Sequence, residues 1–202
     1  MYDRAIDGLE SILKYTPSNL PWLPGIEHGR MEHLTCFVPG MLALGTLGMP
    51  KSKRVDRDMR IAKGLMETCW QMNKRTKSGI SPDEISFQGD YWDVSDREYK
   101  LRPESIESLY VLHKITGDST YRDKGWEIFQ NINKYCRTKY GYGHLPDVNN
   151  PGIAPRDKME SFWVGETLKY HYLLQIPVES RPKDDEWVFN TEAHLLPVQH
   201  PV

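Results

Sequence analysis

The chain lacks any long apolar run. No stretch of its 202 residues approaches the ~18–20 apolar residues of a membrane-spanning helix. No signal-peptide pattern is visible: Met1-Tyr2-Asp3-Arg4 leads straight into an amphipathic segment, so the chain is expected to start inside structure. An excess of charge of one sign is also missing. Lys+Arg number 26 and Asp+Glu 28, so no basic face for nucleic acid is implied. Cysteine is scarce. Cys36, Cys69 and Cys136 allow one disulfide and one free thiol, and their pairing is open from sequence. There is no phosphate-cradling glycine loop, no GxSxG elbow and no CxxC, and His33 and His194 lack zinc-ligand spacing. Nucleotide-binding and serine-hydrolase readings fall away.

What is present is aromatic and helical. Six Trp and eleven Tyr mostly serve core packing, and the remainder suit stacking on flat ligands. Apolar residues recur at helical spacing in six segments, about 1–15, 31–47, 54–75, 103–116, 119–136 and 157–174. Pro39-Gly40 interrupts the second. Pro103 fits the first turn of the fourth, and Gly117 fits its stop. Loops marked by Pro and Gly fill 16–30, 76–101, 137–156 and 175–188, with a short hairpin expected at Tyr140-Gly141-Tyr142-Gly143-His144. No strand series is long enough for a central sheet. One all-α domain of paired helices with long loops is the expected architecture, with the site in the loops.

Three constellations carry chemistry. Leu101-Arg102-Pro103-Glu104-Ser105-Ile106-Glu107 opens the fourth segment, with Glu104 and Glu107 on one face and Arg102 placed to orient a carboxylate or a hydroxyl. Acidic residues in a first helical turn also favour the helix dipole without any further role. Arg156 to Glu166 is read as opening the sixth segment. Phe162 and Glu166 share a face there, with Glu160 at its edge, and an aromatic beside a carboxylate suits a pyranose. Phe189-Asn190-Thr191-Glu192-Ala193-His194 sets a hydroxyl, a carboxylate and an imidazole side by side in a tail that is neither a good helix nor a long strand. Helix starts facing one end of a toroid would bring His33, Glu104, Glu166 and Glu192 into a buried, carboxylate-rich pocket, suited to acid/base chemistry on sugars or to a hard cation.

Six strings occur in order: Met31-Glu32-His33-Leu34-Thr35-Cys36-Phe37, Leu65-Met66-Glu67-Thr68-Cys69-Trp70-Gln71-Met72, Leu101 to Ser108, Pro155-Arg156-Asp157-Lys158-Met159-Glu160-Ser161-Phe162, Gly165-Glu166-Thr167-Leu168-Lys169-Tyr170, and Phe189 to His194. Together they resemble the class I α-1,2-mannosidases, glycoside hydrolase family 47, over nearly the whole chain. The resemblance implies a partial (α/α)7 barrel of helical hairpins with a short β-hairpin. It also implies calcium-dependent, inverting removal of terminal α-1,2-linked mannose from high-mannose N-glycans on glycoproteins, in the endoplasmic reticulum or Golgi lumen. Glu104 matches the catalytic base. Thr191 matches the residue that binds Ca2+ directly. Arg102, Glu107, Phe162, Glu166, Glu192 and His33 match residues around the mannose or the calcium waters, and Asp83 stands at a pocket position where Glu is usual. Cys36 and Cys69 match a structural disulfide.

The resemblance also sets limits. Residues 1–202 match the C-terminal part of a single mannosidase catalytic domain, so the N-terminal half, with its general-acid glutamate, is expected to be absent and the chain inactive alone. The loop 20–32 reads as shortened before His33. No nucleic acid and no membrane span within this chain are expected, any anchor lying elsewhere in a full-length protein. The runner-up is a non-catalytic mannosidase-like factor that recognises glycans on misfolded glycoproteins.

Overall fold

A computed structural model describes residues 2–25 and 29–199. Part of the 20–32 loop therefore lies outside the described residues. In chain order the elements are α1 (Tyr2–Ile12), β1 (Lys14–Tyr15), β2 (Pro21–Trp22), β3 (Arg30–Glu32), a 3-10 turn (His33–Phe37), α2 (Val38–Leu44), α3 (Lys53–Lys74), β4 (Glu84–Gln88), β5 (Tyr91–Asp96), α4 (Glu104–Thr116), α5 (Thr120–Tyr135), a π-helical turn (Trp163–Leu168) running into α6 (Lys169–Gln175), a 3-10 turn (Val178–Ser180), β6 (Trp187–Phe189) and β7 (Leu195–Pro197). The protein is mostly helical with short β-hairpins, as expected.

Helix α4 is the hub: it packs on α2, α3, α5 and α6. Its sequence explains this, because Ile106, Leu109, Tyr110 and Leu112 are buried together with the small polar Ser105 and Ser108. Gly40 on α2 lies against Ser108, where even a Cβ would come within 3.0 Å of its hydroxyl. That close approach lets Ser108 Oγ accept the Gly40 N–H at 2.8 Å and donate to the Cys36 carbonyl, so two backbone groups buried at the helix crossing are satisfied. Gly117 ends α4 in the left-handed conformation at φ 71°, the stop read from sequence. Cys36 is bridged to Cys69 on α3, with Cα atoms 5.9 Å apart, and Cys136 is free and buried. The disulfide thus ties the turn before α2 to α3.

Three details differ from the sequence reading. The expected 76–101 loop contains the β4–β5 hairpin, which joins β3 in a three-stranded antiparallel sheet. At 137–144 there is only an isolated bridge, Arg137 to Tyr142. The sixth helix also starts late. Residues 156–160 are not helical, because the Arg156 N–H and the Lys158 carbonyl bond to the backbone of His144 instead.

Candidate active site

Glu104 is the first residue of α4 and is buried. Its Oε2 faces His33 Nδ1 at 3.0 Å, off hydrogen-bond alignment, and neither atom has another hydrogen-bond partner among the described residues. The other ring nitrogen of His33, Nε2, lies 2.9 Å from Ser105 Oγ. Burial pushes the Glu104 carboxyl up, but the adjacent imidazole, its own backbone N–H and Arg102 outweigh burial and hold it below the usual range. Glu104 is therefore an ionised, sheltered carboxylate at a helix start, as a general base requires.

Arg102 is aimed by Asp83. Its Nε donates to Asp83 Oδ1 at 2.5 Å, and Lys100 Nζ donates to Asp83 Oδ2 at 2.6 Å. Burial opposes ionisation of Asp83, yet the two cations hold its carboxyl below the ordinary value. Just before Arg102, fully buried Leu101 has φ 61°, a conformation that costs a residue with a side chain about 1–3 kcal/mol. The Thr167 hydroxyl donates to the Leu101 carbonyl at 2.6 Å and pins the kink. Asp83 is thus engaged in holding Arg102.

One turn further along α4, Glu107 accepts a hydrogen bond from the Tyr170 hydroxyl at 3.1 Å. Burial, with the charges of Glu104 and Glu166, raises its carboxyl to about 7 against the pull of Tyr170. Glu166 is also raised, by burial first and then by Glu104 and Glu192, against Lys169. Four carboxylates thus sense one another, with Arg102 and Lys169 as counter-charges. Such a set fits a cation. Among the described residues no three His, Cys, Asp or Glu side chains converge as a direct metal cage.

The tail supplies the third wall. Asn190 folds it: its side-chain Oδ1 accepts the N–H groups of Glu192 at 3.0 Å and His194 at 2.8 Å, and its own N–H donates to the His194 carbonyl at 2.9 Å. This turn closes the β6–β7 hairpin with Ala193 at φ 58°. Tyr110, Tyr170 and Phe189 cluster beneath it, Tyr170 lying 5.7 and 5.8 Å from the other two rings. Phe162, Glu166, Glu192 and His194 then line a small cavity of about 140 Å³. Thr191 faces a larger groove of about 540 Å³ shared with Glu107 and Tyr170. Thr191, Glu192 and His194 are exposed, so the pocket is open on this side rather than buried.

The expected residues therefore assemble from five separate stretches. Tyr170, Lys100, Ser105 and His194 join them. Tyr170 lies four positions after Glu166 in the Gly165–Tyr170 string, but its partner Glu107 is 63 residues away and no local pattern links them.

Residues 1–198 match the family described as Glycosyl hydrolase family 47. The chain is 45% identical to the endoplasmic reticulum mannosyl-oligosaccharide 1,2-alpha-mannosidase of Rattus norvegicus, across 99% of this chain and 32% of that protein. Against the Homo sapiens protein of the same name the identity is 43%, across 99% of this chain and 30% of that one. The fold superposes on an alpha-1,2-mannosidase from Trichoderma reesei with a TM-score of 0.83 at 27% identity, covering 96% of this chain and 46% of that one. The helical hairpins thus form part of an (α/α)7 barrel, and the chain spans about a third of the length of the curated relatives. With nearly every residue matched, the chain belongs to glycosyl hydrolase family 47.

Proposed function

We propose that this chain carries the base side of a calcium-dependent, inverting α-1,2-mannosidase that removes terminal mannose from high-mannose N-glycans in the lumen of the secretory pathway. The observation that carries the reading is Glu104: a buried carboxylate kept ionised beside His33 and Arg102, at the start of α4. In an inverting glycosidase such a group takes a proton from water as that water attacks the anomeric carbon, while an acid on the other face protonates the leaving oxygen, about 6.5–9.5 Å away. Arg102, held by Asp83, offers N–H donors to sugar hydroxyls. Phe162 offers a face for the mannose ring. Glu166 and Glu192 offer acceptors for hydroxyls. Thr191 would hold a calcium ion through its hydroxyl and carbonyl, with Glu107, Glu166 and Glu192 reaching the ion's waters. When bound, the ion supplies positive charge that keeps these carboxylates ionised and orients water and vicinal hydroxyls.

Names agree with this reading: the relatives at 43–45% identity are endoplasmic reticulum mannosidases, and a disulfide at Cys36–Cys69 suits an oxidising lumen. Glycan trimming of this kind would serve glycoprotein quality control. The acid belongs to the part of the domain that this chain does not match, so we propose that the 202 residues alone are inactive. The test is proton NMR of a high-mannose glycan with calcium. The full-length protein should release β-mannose first, and this chain alone should release none. α-Mannose as first product would overturn inversion, and mannose released by this chain alone would overturn its inactivity. A full-length protein that binds the glycan but releases nothing would favour a glycan-recognising factor instead.

A further inference from the structure

His144 belongs to no group described above, yet it is 2% exposed. Its backbone knits two segments together. The His144 N–H donates to the Lys158 carbonyl at 3.3 Å, and the Arg156 N–H donates to the His144 carbonyl at 2.9 Å. The next residue, Leu145, exchanges both backbone bonds with Tyr99, at 3.0 and 2.9 Å. His144-Leu145 therefore lies between the segment leading into Arg102 and Glu104 and the segment leading into Phe162.

The side chain repeats the connection. Nδ1 is 3.2 Å from Glu98 Oε1 and Nε2 is 3.2 Å from Glu160 Oε1. The first contact is an aligned hydrogen bond. The second is not, and Nε2 is buried with no other partner among the described residues. Two cations complete the set: Arg156 Nε lies 3.0 Å from Glu98 Oε1, and Lys158 Nζ lies 2.9 Å from Glu160 Oε1. Glu98, Arg156, Lys158 and Glu160 are the charged groups facing the ring among the described residues.

An imidazole between two carboxylates is asymmetric when neutral. It carries one N–H, so one carboxylate is bonded and the other meets a lone pair. The imidazolium has two N–H donors and can serve both. Arg156 and Lys158 are largely exposed, so water screens their pull. The buried ring is screened far less.

We propose that His144 is a positioning residue whose ring and backbone tie the segment bearing Arg102 and Glu104 to the segment bearing Phe162. The consequence for catalysis rests on the reading of Arg102, Glu104 and Phe162 as the mannose site. Guanidinium and aromatic ring would grip one sugar from two segments, so their spacing governs binding.

Amide hydrogen exchange of this chain tests the tie, read as protection factors. His144→Gln should lower the protection of the Tyr99, Leu145 and Arg156 amides about fivefold, with α3 unchanged. Glu160→Gln should lower it in the same direction while leaving the buried ring in place, which keeps the test decisive if His144→Gln fails to fold. Protection unchanged in both variants overturns the proposal. In the full-length enzyme, His144→Gln should raise KM for a high-mannose glycan severalfold with kcat within about twofold. A fall in kcat at unchanged KM overturns the positioning role. If the full-length protein releases no mannose at all, the functional reading fails, and the exchange result still decides the tie.

Discussion

Glu107 is the carboxyl whose protonation the fold alters most usefully for a test. Burial raises it from 4.5 to about 7, with Glu104 and Glu166 adding to the rise and the Tyr170 hydrogen bond opposing it. A carboxyl raised in the folded state favours folding while protonated. Its contribution is complete below the ordinary value of 4.5 and is lost as pH climbs to about 7, an effect on the order of 3 kcal/mol. In chelator, urea midpoints should therefore fall across that window, and Glu107→Gln should flatten the fall. An unchanged slope in the variant would assign the loss to other groups. Adding calcium should also flatten it, because a cation favours the ionised form. Thr191→Ala separates metal binding from packing. The side chain is exposed and lies in a turn held by Asn190, so calorimetry should show weaker calcium affinity, by about tenfold, with the melting point in chelator within a degree or so. Unchanged affinity with a lowered melting point would make Thr191 a structural residue. At this scale the sequence disclosed residue types but few partners. Glu104 and His33 could be placed at helix starts, whereas the Asp83–Arg102 pair joins residues 19 apart and Glu107–Tyr170 joins residues 63 apart, contacts that only the assembled fold creates.

Helix α4 meets α2 through Ser108 and Gly40, and the energetics of that crossing are local. Ser108→Ala leaves the Gly40 N–H and the Cys36 carbonyl without their shared hydroxyl. Each is buried, so the change should cost about 1–3 kcal/mol, read as a lower urea midpoint. A cost below about 0.5 kcal/mol would mean that water replaces the hydroxyl. The long helices were legible because their apolar period is sustained. The segments 54–75, 103–116 and 119–136 became α3 (Lys53–Lys74), α4 (Glu104–Thr116) and α5 (Thr120–Tyr135). Shorter signals misled. The β4–β5 hairpin turns at Gly89, with φ 65°; its strands do alternate, setting Ile85, Phe87, Trp92 and Val94 on one face, but each run is only five or six residues long and is outweighed in the sequence by the longer helical periods around it. Met159 and Phe162 kept a helical phase upstream of α6, yet backbone bonds to His144 hold 156–160 in a non-helical path, a tertiary claim that local periodicity does not register. Pro39 was read as an interruption and is a start: it lies in the first turn of α2, where its missing N–H costs nothing.

Across the whole molecule, the disulfide, the α4 hub and the β6–β7 tail bring one carboxylate-rich site together from stretches spread between His33 and His194. The fold class and the disulfide were legible through ordered motifs; the superposition on a solved α-1,2-mannosidase agrees with the first and the Cys36–Cys69 bridge of the structure with the second. The share of a relative's length that the chain covers, about a third, was not legible in composition at all, since balanced charge and a full helical core describe a part of a barrel as well as a whole one. The central claim is that Glu104 is the base of a mannosidase, and one comparison tests it most directly: steady-state mannose release and glycan binding by the full-length protein with and without Glu104→Gln. The substitution keeps the shape and removes the proton acceptor. The account predicts a loss in kcat of about 10²–10⁴-fold or more with glycan affinity retained. Turnover within a few-fold of the unchanged enzyme would contradict it.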